Sequence, residues 1–585
     1  MATAESPPLA EASSTAAGLG RRWAWAGLAI VLGGGLALRL WGVRQGLPFA
    51  YNADEADHFV RHAIGMYEHG TLNPQYFANP PAYTYALHIL YGVWYGGAHG
   101  AIRAYELHPE AVYTLARVLA ALLGTLALWL LYLAGTRLGG RTVGLLAAAI
   151  QAVAFLPVFY AHLALGDAPT LAPATLSLLG SAGVLRKGRA RDYALAGVGL
   201  GLACATKYTA GIVLLPLLAA ALTAERRPRA PVGLLLAGAC ALAAFLIANP
   251  YALLDFSRLR SELAHQSSLS AEAQGKLGAP KDGGLVYYLW SLAWGLGLIP
   301  ALAALAGAVS VWRRERALGW LLVPAALAFL LFMGTEGRYF GRWLLPIFPL
   351  VCLLAAFFVV RLAESARAQV AGRPVVGGVA VSLLLAALLW QGLLYSVHSD
   401  VVLSRADTRN LARTWMLTHI PAGSKIVAEP VEPEEWANEL RSGTETSTSS
   451  RRWRLYPALF RRITASGAIA PKYIRPEVGI ENYETTLYPQ LISFYEQQGF
   501  CWVIVASTES GRAYADPHAV PHAIAYYQAL ARVGEVVYRA SPYARGQGPV
   551  AFNFDWSFDY YPLAYARPGP GLTIYRLHGG RCARA

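Results

Sequence analysis

Apolar runs of roughly twenty residues recur from Trp23 to Tyr395 and stop near Ser399. A helix needs about 20 apolar residues to cross a hydrocarbon core about 30 Å thick. The runs predict membrane spans at 23–43, 111–134, 141–163, 168–185, 191–206, 208–223, 231–249, 285–310, 317–334, 343–362 and 374–396, about 11 spans in all. Beyond Ser399 the pattern changes. Residues 408–419 and 522–531 read as helices, and 425–429, 501–506 and 572–577 as strands, which predicts a soluble α/β domain. The chain thus divides into a tail at 1–22, a membrane module at 23–399 with a large first loop at 44–110, and a C-terminal domain at 400–585.

Composition agrees with the pattern. Of the 585 residues, 55% are hydrophobic and 14% charged, whereas about a quarter of the residues of a soluble protein are charged. The net charge of +14 does not point to nucleic acid. Its basic residues fall in every second link between spans, at Arg21/Arg22, Arg137/Arg141, Arg186/Lys187/Arg189/Arg191, Arg226/Arg227/Arg229, Arg313/Arg314/Arg316 and Arg361/Arg367/Arg373. By the positive-inside rule these links and the N-terminus are cytoplasmic, which makes the chain a multi-pass plasma-membrane protein. The first apolar run is too long for a signal-peptide core and is expected to stay as an uncleaved span, behind a disordered tail.

The alternation decides the segment Pro80–Gly100, apolar but rich in Tyr and carrying Trp94, His88 and His99. Counting it as a span would put Arg137/Arg141 outside, so an interfacial or re-entrant helix is expected. The outer surface then comprises residues 44–110, the turns at Asp167 and Lys207, the loop 250–284, the turn 335–342 and the C-terminal domain. Cys501 and Cys582 both fall in that domain, and a disulfide between them is open to it in an oxidising compartment. Cys204, Cys240 and Cys352 sit singly in apolar runs. No C-x-x-C spacing points to zinc.

The unusual charges gather on this same side. In Tyr51-Asn52-Ala53-Asp54-Glu55-Ala56-Asp57-His58-Phe59, Asn52 and Glu55 stand in capping-box spacing, and Gly70 can close the helix they open. Asp54 falls in the first turn, where the helix N-terminus favours an ionised carboxylate of the kind a general base requires. The same spacing allows Glu55 to be only a cap. Asp54, His58 and His62 also share one face, an alternative in which they hold a divalent metal. Asp167 lies at an outer turn, Lys207 interrupts two apolar helices without a basic neighbour, and Arg338 and Arg342 bracket the last outer turn. A lone cation here needs an anion. Carboxylates and cations at one interface suit transfer of a sugar from a lipid-linked phosphate to a hydroxyl: a base takes the acceptor proton and cations receive the charge of the departing phosphate.

This arrangement resembles the family 39 glycosyltransferases and their relatives, the protein O-mannosyltransferases and the aminoarabinose transferases of lipid A, all of the membrane-embedded GT-C class. The resemblance covers most of residues 20–400. Its motifs are Asp54-Glu55 after the first span, Asn79-Pro80-Pro81, Asp167, Gly201-Leu202-Ala203 before Lys207, and the Arg and Pro pattern from Arg338 to Pro349. It implies Asp54 as catalytic base, Glu55 as an acceptor-positioning carboxylate, and Asp167, Asn79 and His58 on the acceptor side or behind it. It further implies Lys207, Arg338 and Arg342 as donor-phosphate ligands, a polyprenyl-phosphate sugar as donor, inversion at C1, no required cofactor, and an extracytoplasmic acceptor. Asn79 stands where the compared relatives commonly carry His or Lys. Two alternatives remain: a transporter or flippase of lipid-linked saccharide, and an oligosaccharyltransferase-like enzyme using a diphosphate donor, although the first loop holds no D-x-D motif.

Overall fold

The computed structural model describes residues 20–224, 230–271, 277, 283–369, 374–430, 434–438, 452–456, 480–550, 552 and 562–584. The chain opens with α1 (Arg21–Leu40). Three shorter helices of the first loop follow, α2 (Val60–Glu68), α3 (Ala82–Tyr95) and α4 (Ala98–Leu107). Then come α5 (Pro109–Gly139), α6 (Arg141–Val153), α7 (Phe155–Phe159), α8 (Leu171–Lys187), α9 (Ala190–Thr206), α10 (Leu214–Thr223) and α11 (Ala230–Ala248). A second loop carries α12 (Tyr251–Leu254) and α13 (Phe256–Ala271), after which α14 (Gly284–Gly295), α15 (Leu298–Arg314), α16 (Arg316–Thr335), α17 (Phe348–Gln369) and α18 (Pro374–Leu403) complete the bundle.

Six of the described helical segments are long and apolar enough to cross a membrane, and up to eight if each bent pair is one span. Two stretches read from the sequence as single spans are broken. Between α6 and α7 the axis turns by 63°. Pro157 has no N–H for the carbonyl of Val153, which instead accepts the Ser396 hydroxyl at 2.9 Å. Between α14 and α15 the turn is 113°, at Gly297, whose φ of +109° suits glycine. At the other end of the chain, Arg21 and Arg22 begin α1 rather than ending the tail. Residues 1–19, the Arg226/Arg227/Arg229 link, Arg373 and the Ser/Thr-rich stretch 441–450 lie outside the described residues.

Among the described residues, neighbouring links are tied to one another at either end of the bundle. At one end Arg137 donates to the Leu179 carbonyl at 2.9 Å, and Arg361 pairs with Glu315. At the other end, the first loop, the second loop and the turn before α17 meet: Asn73 donates to Asp255 at 2.9 Å, and the backbone N–H of Arg338 donates to Ser270 at 3.1 Å. The segment 82–95 is helical, with Tyr83, Leu87 and Tyr91 buried and the Tyr83 hydroxyl bonded to the Ala116 carbonyl at 2.7 Å. Its other face leaves Ile89, Val93 and Trp94 exposed, an apolar stripe of the kind that rests at a membrane interface.

The C-terminal domain has its own apolar core. Helix α19 (Thr408–His419) and the strands β1 (Lys425–Val427) and β2 (Arg454–Leu455) are followed by α20 (Gln490–Gln498), β3 (Phe500–Ala506), α21 (Ser507–Ala515), α22 (Pro521–Val533), β4 (Glu535–Ala540) and β5 (Leu572–Arg576). The sheet order is β2-β1-β3-β5-β4. β1 runs parallel to β2 and β3, while β5 is antiparallel to β3 and β4, with Ile504 opposite Ile574. Cys501, on the central strand, is disulfide-bonded to Cys582 just past β5. The bond closes a loop 81 residues apart in sequence, and closing a loop of that order stabilises by about 2–4 kcal/mol. Cys501→Ser/Cys582→Ser is expected to lower the unfolding temperature of the domain, and non-reducing peptide mapping of the wild type should recover the two cysteine peptides linked. Unlinked peptides and an unchanged melt would refute the bond.

Candidate active site

The site begins at the helix the sequence predicts after α1. Asn52 caps it, its Oδ1 accepting the Glu55 N–H at 3.1 Å. The reciprocal half of the capping box does not form. Glu55 turns inward and is fully buried with Arg117 of α5, in a two-pronged pair whose Nε and Nη2 each reach a carboxylate oxygen at 2.7 Å. A third bond comes from the Ala164 N–H at 2.8 Å. The chain passes through a π-helical turn (Glu55–Phe59) before α2, a widened geometry often found at functional sites. Gly70, at φ +59°, closes the far end as predicted.

Asp54 faces the other way. Its Oδ2 accepts Arg342 Nη2 at 2.6 Å, and His58 lies 3.7 Å off. Arg342 also has its Nε 3.9 Å from Asp167, and Asp167 is bonded to Lys207. Residues from the first loop, the turn before α8, the break after α9 and the turn before α17 thus form one chain of alternating charge. Within it the side chain of Asp54 is 40% exposed, against 10–14% for the other three. Asp54 is therefore the member an incoming molecule can reach. Arg338 is half-buried in the same turn as Arg342, and the Arg342 guanidinium lies over the Phe340 ring at 4.5 Å.

His58, His62 and Asn79 gather around Tyr76 beside Asp54. The Tyr76 ring is sandwiched between His58 and His62, with centroids 4.7 and 4.8 Å away. The Asn79 amide donates to the Tyr76 hydroxyl at 2.6 Å. The two imidazoles flank Tyr76 instead of converging with Asp54 on one point, and among the described residues no three His, Cys, Asp or Glu gather to hold a metal ion. Burial, then the neighbouring His58, push the His62 imidazole below its ordinary value. Burial raises the Tyr76 hydroxyl, with the Asn79 bond opposing.

Sequence reasoning missed three contributors. Arg117 sits inside a predicted span, where only its charge flagged it. Glu262 of α13 accepts the Phe77 and Ala78 N–H groups at 2.5 and 2.9 Å, holding the loop that carries Tyr76 and Asn79. Tyr208, next to Lys207, donates to the Phe77 carbonyl at 3.0 Å.

A family model for dolichyl-phosphate-mannose-protein mannosyltransferase matches residues 110–249, the stretch from α5 to α11. No curated protein matches the chain in a sequence search. Among solved structures, the Archaeoglobus fulgidus oligosaccharyltransferase AglB, in complex with an inhibitory peptide and a dolichol-phosphate, is 10% identical at a TM-score of 0.52, over 95% of this chain and 88% of that one. An apo oligosaccharyltransferase structure from the same organism is 14% identical at 0.50, over 89% and 74%. ArnT from Cupriavidus metallidurans, bound to undecaprenyl phosphate, is 14% identical at 0.47, over 95% and 98%. The shared fold rests on the first two. The chain thus shares the fold of the oligosaccharyltransferase structures, and its central segment matches a family model of lipid-phosphate-dependent mannosyltransferases, in line with what the sequence resemblance implies.

Removing Arg117 strands a buried carboxylate, a change that typically costs about 3–5 kcal/mol. Arg117→Met is accordingly expected to lower the melting temperature of the detergent-solubilised protein sharply, with partial recovery in Glu55→Gln/Arg117→Met. Equal melts for wild type and Arg117→Met would mean that the pair does not hold this region.

Proposed function

We propose that this chain transfers a sugar, with inversion at C1, from a polyprenyl-phosphate donor to a hydroxyl acceptor at the outer face of the plasma membrane. The observation that supports it most directly is the charge chain Asp54–Arg342–Asp167–Lys207. In this reading the acceptor hydroxyl gives its proton to Asp54 as its oxygen bonds C1. The bond from C1 to the phosphate oxygen breaks, and the phosphate leaves with the electron pair. The proton needs a base and the departing charge needs cations. Asp54 is the base, and Lys207 and Arg342, with Arg338 in the same turn, receive the phosphate. Asp167 keeps Lys207 aimed before the donor arrives. His58 and Asn79, the latter through Tyr76, shape the acceptor side.

Glu55 takes a different part from the acceptor-positioning one that the resemblance implies. Buried on Arg117, it touches no open space and acts by fixing the backbone beside Asp54. The cations at the site already carry the charge that the leaving phosphate requires, so the reaction as written calls on no further cofactor.

Outward orientation of this end is supported by the basic links at the opposite end and by the disulfide of the C-terminal domain. A lipid-phosphate donor is supported by the dolichol-phosphate bound in the AglB structure. That same likeness favours a second reading, an oligosaccharyltransferase with a diphosphate donor, against which stands the lack of a D-x-D motif in the first loop. A transporter fits less well, because transporters gather polar groups near the bilayer midplane while these charges sit at one end of the bundle.

Asp54→Asn is expected to cut transfer by about 10²–10⁴-fold in vesicles supplied with polyprenyl-phosphate sugar, with donor binding retained; a variant that transfers normally would sink the assignment. Lys207→Ala is expected to weaken donor binding by about tenfold or more, the worth of a charged hydrogen bond, and acceptor binding much less. Unchanged affinity for the lipid donor would reject the phosphate role.

A further inference from the structure

The C-terminal domain grips the segment that leads into Asp54. Phe49 is buried in the apolar core of that domain, with Ala412 and Met416 of α19. The Tyr51 hydroxyl donates to Asn410 Oδ1 at 2.6 Å, and the Asn410 amide donates back to the Gly46 and Leu47 carbonyls at 2.9 and 3.4 Å. One side chain of α19 therefore holds both limbs of the 46–51 turn. Arg409 lays its guanidinium on the Tyr51 ring at 3.6 Å and is itself fixed by both oxygens of Asp407, at 2.9 and 2.8 Å. Arg413 lies 5.2 Å above Phe49 and is anchored on the Trp436 and Asn438 carbonyls.

The membrane module holds the same segment from below. Arg117 Nη1 donates to the Val43 and Gln45 carbonyls at 2.9 and 2.8 Å, and its other nitrogens hold Glu55. Residues 43–55 are thus strapped from below at both ends and from above in the middle. Asp54 lies three residues past Tyr51, and its own side chain is the open member of the charge chain. The two straps fix the backbone on either side of it, and Arg342 holds its carboxylate.

The geometry points to Asn410 as a positioning residue for the reaction, through which α19 of the soluble domain sets the placement of Asp54. The inference rests on the assignment of Asp54 as base. A misplacement of about 1 Å in a reacting group can cost up to about 100-fold in rate, and a single lost strap is worth a fraction of that.

The test uses the full-length protein in vesicles with a polyprenyl-phosphate sugar donor, the active fraction being counted by donor binding. Asn410→Ala is expected to lower kcat per donor-binding site about tenfold and leave the donor KM within about twofold, the signature of an interaction felt in the transition state. Tyr51→Phe should show a smaller loss of the same kind, and Tyr51→Phe/Asn410→Ala no more than Asn410→Ala, because both substitutions cut one strap. A merely structural role would reduce the number of donor-binding sites and leave kcat per site unchanged, which overturns the inference. So does full activity in Asn410→Ala. Asp54→Asn is run alongside: if it is inactive while Asn410→Ala is normal, only the positioning role falls, and if it transfers normally, the base assignment and this role fall together.

Discussion

The buried pair of Glu55 and Arg117 is the contact on which the geometry around Asp54 depends. Charges without water are tolerated only when hydrogen bonds replace the lost hydration, and this pair is nearly saturated. The carboxylate accepts three hydrogen bonds and the guanidinium donates to two carbonyls besides. The five bonds join α5, the end of the link from α1, the start of the Asp54 helix and the bend at Ala164. Once the pair has formed, the neighbouring residue Asp54 has little freedom left.

Two consecutive carboxylates consequently live in opposite environments. Glu55 is sealed in with its counter-ion, while Asp54 stands partly exposed against Arg342. Their adjacency in sequence is what makes this division work: fixing one fixes the backbone of the other. The first loop is held from its far side too, where Glu262 and Asp255 of the second loop bind its backbone and Asn73. Asp54 and its neighbours are thus mounted on a loop tied down at several points, as a site demands when its reacting groups must be held within a fraction of an ångström.

Much of this was legible in the chain. The apolar runs located the helices, and the alternation of basic links sorted Asp54, Asp167, Lys207 and Arg342 to one end, where the structure brings them into one network. Local rules fell short where a distant partner decided the outcome. Capping-box spacing predicted that Glu55 would reach back to Asn52, but a buried guanidinium 62 residues on offers a stronger partner than a solvated backbone N–H. The helical spacing of Asp54, His58 and His62 suggested a metal set, yet helix spacing cannot foresee that Tyr76 slides between the two imidazoles. The breaks near Pro157 and Gly297 carry their signals in sequence, and β4 holds Val536, Val537 and Tyr538, residue types that favour strands. Asn410 gave no signal at all, because nothing in a soluble helix tells which loop it will meet.

Asp54 owes its place to polar straps, whereas Asp167 and Lys207 owe theirs to close packing of small residues. Helices in a membrane gain little from apolar burial against one another and approach through Gly, Ala and Ser. A Cβ on Gly199 would lie 2.3 Å from the backbone nitrogen of Ser177 in α8, and one on Gly201 would lie 2.1 Å from the Ala241 carbonyl in α11. Only glycine lets α9 run this close to both neighbours, and the Gly201-Leu202-Ala203 motif thereby acquires a physical reason. The three helices form a slab in which small displacements meet hard contacts, and the break after α9 presents Lys207 to Asp167 at its end. Arg342 then spans the two halves, with one nitrogen on the strapped loop and another toward the slab. A guanidinium suits that place better than an ammonium would, because its rigid fork can address two carboxylates at once.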